Sequence, residues 1–246
     1  MEPEIEYEMP GFLRVHKSGH VERLDGTDTI QPSPSGDPAN GVASKDVVLA
    51  NSISARIYLP AAAAGAEPSS EKLPVVVFLH GGAFFIHTAG SLIYHRYAAS
   101  LAAAVPAIVV SVEYRLAPEH PLPAAYDDAF AALQAVVAAC RPDGGDEPWL
   151  AARGDVSRVV LAGDSAGGNM AHNTAIRLRK EGIGGYGDKV SDSAGWRSCI
   201  PTSRGQRNRR AATRNARWTS PPAASWAPDT RVSTFGGVAG GVEACW

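Results

Sequence analysis

Short apolar runs alternate with longer amphipathic stretches through the middle of the chain. Three of the runs have the length and composition of strands buried on both faces of a sheet: Pro74–Leu79, Ala107–Val112 and Arg158–Ala162. Three stretches that follow them have the length of helices: about Tyr94–Ala104, Ala124–Ala139 and Ser165–Glu181. This alternation predicts βαβ units with right-handed crossovers, in which ligands bind at the carboxyl ends of the strands.

The residues before this alternation are more polar. We interpret residues 1–44 as an N-terminal lid or extension that is rich in turns. Two strand candidates follow, at Lys45–Leu49 and Ala55–Leu59, and Ala61–Lys72 has the composition of a surface loop. Residues 45–190 then form the predicted α/β domain, in which we expect part of the fold to be missing.

Composition and charge narrow the classes of function. The chain has 246 residues, of which 45% are hydrophobic and 20% are charged, so a packed core is expected. The net charge of −2 gives no reason to expect a nucleic-acid partner, and no Cys or His cluster has metal-ligand spacing. The acidic N-terminus is unlike a secretory signal, and no apolar stretch reaches the roughly 18 residues of a membrane span. We therefore expect a protein of the cytoplasm, with the nucleus as a second compartment, and no membrane partner.

The sharpest chemical motif is G-D-S-A-G at residues 163–167, which follows a predicted strand and opens a predicted helix. A sharp strand-to-helix turn of this kind presents the Ser165 hydroxyl above the sheet as a nucleophile. The glycines let neighbouring backbone approach the turn, and the helix N-terminus adds partial positive charge where an oxyanion would form. The competing interpretation is a glycine-rich turn capped by a serine, which the strand and helix context disfavours.

A second motif, His80-Gly81-Gly82, directly follows the predicted strand Pro74–Leu79. In ester hydrolases with a nucleophile turn, the loop at this place donates backbone N–H groups to the developing oxyanion. Glycines fit there because the backbone itself must meet the substrate. We assign Gly81 and Gly82 as oxyanion donors, with the N–H of Ala166 as a third. Taken alone, the motif would equally fit an ordinary turn at the end of a strand.

A third segment, residues 113–128 (EYRLAPEHPLPAAYDD), follows the second buried strand. Its prolines prevent an early helix, so Tyr126, Asp127 and Asp128 fall in the helix that comes after them. We interpret the segment as a structural support for the site, and a plain loop is the alternative.

These motifs, HGG, YRLAPEHPLPAA and GDSAGGN, together resemble the hormone-sensitive-lipase-like α/β-hydrolases. The flanks Phe12–Thr27 and Gly41–Leu49 are similar to plant carboxylesterases of that group. The resemblance covers about residues 8–190. It implies an α/β-hydrolase fold, with a mostly parallel sheet of eight strands, flanking helices and an N-terminal lid. It also implies no cofactor, hydrolysis of a small-molecule carboxylic ester, and the roles already given to Ser165, Gly81, Gly82 and Ala166.

The same group contains gibberellin receptors, which kept the fold and lost catalysis. In those receptors the residue after the nucleophile-position serine is typically serine, whereas here it is Ala166, as in the esterase branch. A carboxylesterase-type serine hydrolase is therefore the expected function. A non-catalytic protein that binds a small, hormone-like molecule is the alternative.

The chain departs from the family in its catalytic base. The triad order in this fold is serine, then an acid, then a histidine. All seven histidines lie at or before position 172: His16, His20, His80, His87, His95, His120 and His172. His172 would lie about 10 Å from Ser165 along a helix, too far for a direct hydrogen bond. We therefore expect the triad acid and base to be absent and the turnover to be weak or nil.

The other candidates for acid and base have weaker support. We interpret His80 as a structural residue that orients the glycine loop. His87 and His95 are expected at the surface or in the lid. Three aspartates are candidates for the acid by elimination only: Asp188, Asp192 and Asp229.

The composition changes after Val190. Residues 191–246 contain eight arginines, no lysine, no leucine and four of the five tryptophans. We find no credible buried strand there, so we expect a chain truncated after about residue 190 and a disordered tail. The strand Arg158–Ala162 would then lack its next partner and form an apolar sheet edge. A basic nucleic-acid or nuclear-targeting segment at Ser203–Arg217 is a second interpretation of the tail.

We hypothesise that residues 191–246 are translated from a shifted frame or a retained intron, because leucine-free sequence rich in Arg, Trp and Pro is typical of GC-rich DNA in a wrong frame. Sequencing of transcripts across the Val190 codon tests this. A break in the frame is expected there, and an uninterrupted frame in a functional transcript would contradict the hypothesis.

Overall fold

The computed structural model describes residues 4–49, 52–64, 72–141, 147–183 and 198–199. The tail at 191–246, apart from Ser198 and Cys199, lies outside the described residues, as does the candidate acid Asp188. Within the described ranges, no helix is long and apolar enough to cross a membrane.

A small antiparallel sheet is formed by the N-terminal residues, where the sequence predicts only turns. Its strands are β1 (Ile5–Met9), β2 (Leu13–His16) and β3 (Val21–Arg23), in that spatial order. Strand β1 is not predicted, since it is exposed on both faces and buries no apolar side. The central strand carries Arg14, whose guanidinium contacts carboxylates on both neighbouring strands.

The main sheet contains every strand that the sequence predicts, with ends shifted by up to four residues. Its strands are β4 (Ala43–Leu49), β5 (Ile53–Leu59), β6 (Leu73–Leu79), β7 (Ile108–Glu113), β8 (Gly154–Gly163) and β9 (Ser198–Cys199). Their order is β4-β5-β7-β6-β8-β9. Strands β6, β7, β8 and β9 are parallel to one another. Strand β5 pairs antiparallel with β4 on one side and with β7 on the other. The sheet is therefore mixed, and the parallel strands all present their carboxyl ends at one edge.

The helices occupy both faces of this sheet. They are α1 (Ala61–Ala64), α2 (Leu92–Ala104), α3 (Ala124–Ala139), α4 (Pro148–Arg153) and α5 (Ala166–Glu181). Helix α3 has the bounds that the sequence predicts, since Pro123 fixes its start. The short helices α1 and α4 are not predicted, and α1 falls in a segment expected to be a loop, because neither is long enough to show a helical period.

The core lies on both sides of the central strand β6. Val75, Val77 and Leu79 pack with residues of α3 and α5, whereas Val76 and Phe78 pack against α2 on the opposite face. Each of these five residues is at most 8% exposed. Burial on both faces explains why this strand is a continuous apolar run rather than an alternating one.

Strand β8 is not the unpaired edge that the sequence predicts. Leu161 and Ala162 pair in parallel with Ser198 and Cys199 of β9. The expectation that this strand lacks a next partner is therefore wrong at these two residues. Backbone pairing needs only main-chain N–H and C=O groups, so a strand this short carries no side-chain pattern from which it could be predicted.

Candidate active site

Ser165 occupies a strained corner between β8, which ends at Gly163, and α5, which begins at Ala166. Its backbone has φ 51° and ψ −113°, so it is not the first helical residue that the sequence predicts but the residue before it. A non-glycine residue with positive φ typically costs about 1–3 kcal/mol and persists where its surroundings determine it. The serine is exposed, so the turn presents its hydroxyl at the carboxyl edge of the sheet.

Close backbone contacts hold this corner in place. A Cβ atom added to Gly167 would lie 1.9 Å from the carbonyl oxygen of Leu79, at the end of β6. A Cβ atom added to Gly163 would lie 2.4 Å from the carbonyl of Gly167. Real side chains cannot occupy these positions without moving the backbone, so the glycines allow α5 to start directly against β6.

The glycine loop after β6 lies against the same corner. A Cβ atom added to Gly81 would meet the Tyr94 hydroxyl at 2.5 Å and the Asp164 carboxylate at 2.9 Å. Gly82 has φ +115°, and its carbonyl oxygen accepts hydrogen bonds from the N–H groups of Phe85 and Ile86, both at 3.0 Å. The two sequence motifs, His80–Gly82 and Gly163–Gly167, are therefore neighbours in the structure although they are far apart in the chain.

His80 is buried beneath this loop, as the sequence predicts for a structural histidine. Its Nδ1 lies 2.8 Å from the Gly81 carbonyl oxygen, and its ring stacks on Tyr114 with the ring centroids 4.2 Å apart. Burial lowers the pKa of His80 to about 4, so the ring is neutral at physiological pH. Because a carbonyl only accepts, Nδ1 must carry the proton of this neutral ring.

Two hydrogen bonds orient the peptide groups of the glycine loop. The Tyr114 hydroxyl donates to the His80 carbonyl oxygen at 2.8 Å, and His80 Nδ1 donates to the Gly81 carbonyl oxygen. In a trans peptide, the N–H points away from the carbonyl of the preceding residue. The Gly81 and Gly82 N–H groups are thus directed away from the buried His80–Tyr114 pair.

Tyr94, on α2, connects the two motifs, and the sequence does not predict this role. Its hydroxyl donates to the Asp164 carboxylate at 2.9 Å, and burial raises its pKa, so it remains a donor. A helix position with an ordinary apolar neighbourhood gives no sign of this contact, which depends on a residue 70 positions away.

The segment at 113–128 has the contacts expected of a support. The carboxylate of Asp128, which is buried, accepts from the Arg115 backbone N–H at 2.9 Å and pairs with the Arg115 guanidinium at 2.7 Å. The Tyr126 hydroxyl donates to Asn169 Oδ1 at 2.7 Å and so connects α3 to α5, three residues into the helix that Ser165 precedes.

One of the remaining histidines differs from its predicted place. His95 is buried on α2, where Nδ1 contacts the Tyr58 hydroxyl at 3.1 Å and the Arg56 guanidinium at 3.3 Å. The prediction of a surface histidine is wrong because the polar partners come from a distant strand. His87 is half-buried, with its ring against Tyr94 at a centroid distance of 5.2 Å.

The comparison with protein families decides the identity of the fold. The family model described as the alpha/beta hydrolase fold matches residues 76–227. The chain belongs to this family. The match begins within β6, includes both motifs of the site and extends past Val190.

This alpha/beta hydrolase is similar to curated plant proteins. It is 45% identical over 188 residues to 2-hydroxyisoflavanone dehydratase from Glycyrrhiza echinata, covering 74% of this chain and 56% of that protein. It is 45% identical over 184 residues to probable carboxylesterase 13 from Arabidopsis thaliana, covering 74% of this chain and 55% of that protein. The chain thus spans little more than half the length of these relatives.

One of the similar solved structures is a hyperthermophilic esterase from the archaeon Pyrobaculum calidifontis. The two chains are 36% identical and superpose with a TM-score of 0.45. The match covers 58% of this chain and 41% of the esterase chain.

Gly167→Ala is expected to destabilise this alpha/beta hydrolase by more than about 3 kcal/mol, because the added Cβ would force α5 away from the end of β6. Urea unfolding measures the change. Gly11→Ala is the matched control, since Gly11 has φ +81° with nothing within 4 Å of an added Cβ. The control is expected to cost only about 1–2 kcal/mol of backbone strain. Equal losses in the two variants would contradict the close contact.

His80 is expected to make stability rise with pH between about pH 4, its folded pKa, and about 6.5, its unfolded pKa. In that window the unfolded chain binds more protons at this residue than the folded chain, so the free energy of unfolding increases with pH. Urea unfolding from pH 4 to pH 7 would compare the wild type with His80→Gln, which does not titrate. The difference between them should have a slope of at most about 1.4 kcal/mol per pH unit. A flat difference would show that His80 titrates normally.

Proposed function

We propose that this chain carries the nucleophile and oxyanion-binding half of a serine-esterase site for small carboxylic esters. Ser165 is the nucleophile, and the N–H groups of Gly81, Gly82 and Ala166 are the oxyanion donors. The observation that carries the proposal is the strained backbone of the exposed Ser165, whose neighbour Asp164 lies against Gly81 of the glycine loop. Strain of this kind is stored at functional sites, where it aims a reactive group.

The direction of the donors supports their role. The carbonyls that precede the Gly81 and Gly82 N–H groups accept hydrogen bonds from Tyr114 and His80, which directs both N–H groups away from that buried pair. As the first residue of α5, Ala166 has an N–H that the helix does not use internally. The helix dipole adds partial positive charge at the same point. Preorganised donors of this kind stabilise the charge that develops on an ester oxygen.

The reaction expected of such a site is acyl transfer through the serine. The Ser165 oxygen attacks the carbonyl carbon of the ester while a base takes the hydroxyl proton, and the carbonyl oxygen becomes an oxyanion. Collapse expels the alcohol and leaves an acyl-serine, which water hydrolyses to the acid. The similarity to a relative named probable carboxylesterase 13 supports the choice of ester.

In the described part of the chain, no histidine ring forms a hydrogen bond with Ser165. No histidine follows His172 in the sequence, and His172 is exposed on α5 about 10 Å along the helix from Ser165. The rings of His80 and His95 are engaged by Gly81 and by Tyr58 with Arg56. Ser165 therefore remains a poorly activated alcohol, and we propose little or no turnover by this chain.

Hydrolysis of p-nitrophenyl acetate tests this proposal when the purified wild type is assayed beside Ser165→Ala. Loss of one triad member in serine proteases leaves roughly 10³–10⁴-fold catalysis over water, which comes from the oxyanion hole and binding. Any slow hydrolysis should therefore be nearly the same in the two proteins. If Ser165→Ala abolished a substantial turnover, a base would be serving Ser165, and the proposal that this serine is poorly activated would be wrong.

A further inference from the structure

Arg23, the last residue of β3, reaches from the N-terminal sheet into the main domain. Its Nε donates to the Phe85 carbonyl oxygen at 2.7 Å, and Nη2 donates to the Ala117 carbonyl oxygen at 3.2 Å. Two further bonds, at 2.8 and 2.7 Å, join the guanidinium to the Glu119 carboxylate. Only 22% of the side chain is exposed, so one arginine satisfies acceptors in two separate loops with little help from solvent.

Those two loops frame the proposed site. Phe85 ends the glycine loop, and its own N–H donates to the Gly82 carbonyl oxygen at 3.0 Å. Ala117 lies in the supporting segment at 113–128, and its N–H donates to the Phe84 carbonyl oxygen at 2.9 Å. Arg23 therefore holds the glycine loop both directly and through the segment that braces it.

The rest of the N-terminal segment continues this contact along the chain that follows the glycine loop. The Ser91 hydroxyl donates to the Gly26 carbonyl oxygen at 2.9 Å, and the Ile30 N–H donates to the Gly90 carbonyl oxygen at 2.9 Å. These contacts secure residues beyond the loop, whereas the Arg23 contact lies one hydrogen bond from Gly82.

We propose that Arg23 is a positioning residue that sets the oxyanion donor at Gly82, a role that rests on the proposed function of the site. Its planar guanidinium supplies donors in a rigid fork, which suits three acceptors in different directions. Without it, the Phe85 carbonyl loses its partner, and the segment whose Phe85 N–H holds the Gly82 carbonyl gains freedom to move. The Gly82–Ala83 peptide can then shift, and it moves the backbone of Gly82 with it. Glu119 is 40% exposed and becomes hydrated instead, so the loss falls on the geometry of the loop rather than on folding.

Phenylboronic acid is the probe, because it reports the oxyanion geometry without needing a catalytic base. The Ser165 oxygen bonds to the trigonal boron, the hydroxyl proton passes to solvent, and a tetrahedral boronate anion remains. One boronate oxygen takes the place of the ester oxyanion, so the equilibrium depends on the donors. Boron NMR distinguishes trigonal from tetrahedral boron, and titration gives the dissociation constant of the adduct.

The dissociation constant of the adduct is expected to rise about tenfold in Arg23→Ala, because a displaced N–H group stabilises the boronate oxygen less well. Arg23→Lys is the second variant, because it keeps the charge and the aliphatic stem but not the fork, and a similar loss is expected. Arg14→Ala is the matched control. It removes an arginine from the same small sheet whose partners, Glu8 and Glu22, lie in that sheet, and it should leave the adduct unchanged.

Four other results would contradict the proposal, two through the role of Arg23 and two through the proposed function. If the Arg23 variants bound phenylboronic acid as tightly as the Arg14→Ala control, the positioning role would be overturned. A lower urea midpoint with an unchanged dissociation constant of the adduct would also overturn it, because that result indicates a purely structural residue. An adduct that persists in Ser165→Ala, or that fails to form in the wild type, would instead overturn the proposed function and with it the role of Arg23.

Discussion

The whole site depends on the contact between the first turn of α5 and the end of β6. There the backbone of Gly167 approaches the Leu79 carbonyl so closely that no side chain fits between them. This contact sets the strand-to-helix corner at Ser165 beside the loop that continues from Leu79 through His80 to Gly82. Without it, the proposed nucleophile and the proposed oxyanion donors would belong to separate parts of the sheet. The strained φ of Ser165 is the local cost of this arrangement.

A layer of buried polar groups then gives the loop its direction. His80 and Tyr114 lie beneath the glycines and hold two successive carbonyls, and through them the two N–H groups on the opposite side. Because burial keeps His80 neutral, its ring serves as a fixed donor and not as a base. Tyr94 holds the corner from α2, and Arg23 holds the loop from the N-terminal sheet. The site is therefore assembled from parts that are distant in sequence but converge on one edge of the sheet.

The sequence best predicts the features that depend on the local backbone and on residues close together in the chain. The glycines at 82, 163 and 167 mark places where backbone meets backbone, and the apolar runs mark strands covered on both faces. Prediction fails where tertiary partners decide. His95 is buried where its ring nitrogen contacts Arg56 and Tyr58, which lie on a distant strand. Strand β1 is exposed on both faces, so no buried apolar side marks it in the sequence. Arg23 stands in a flank already similar to plant carboxylesterases, but its partners lie 62 or more positions away, so no local pattern assigns its role.

The central claim is that Gly81, Gly82 and Ala166 direct their N–H groups at one point beside Ser165. Amide NMR spectra of the labelled chain, recorded with and without phenylboronic acid, test it most directly. The account predicts large shifts at these three amides when the boronate forms on Ser165, and none at Gly11 and Gly19 in the small sheet. A tetrahedral adduct on Ser165 that leaves the three amides unmoved would contradict it.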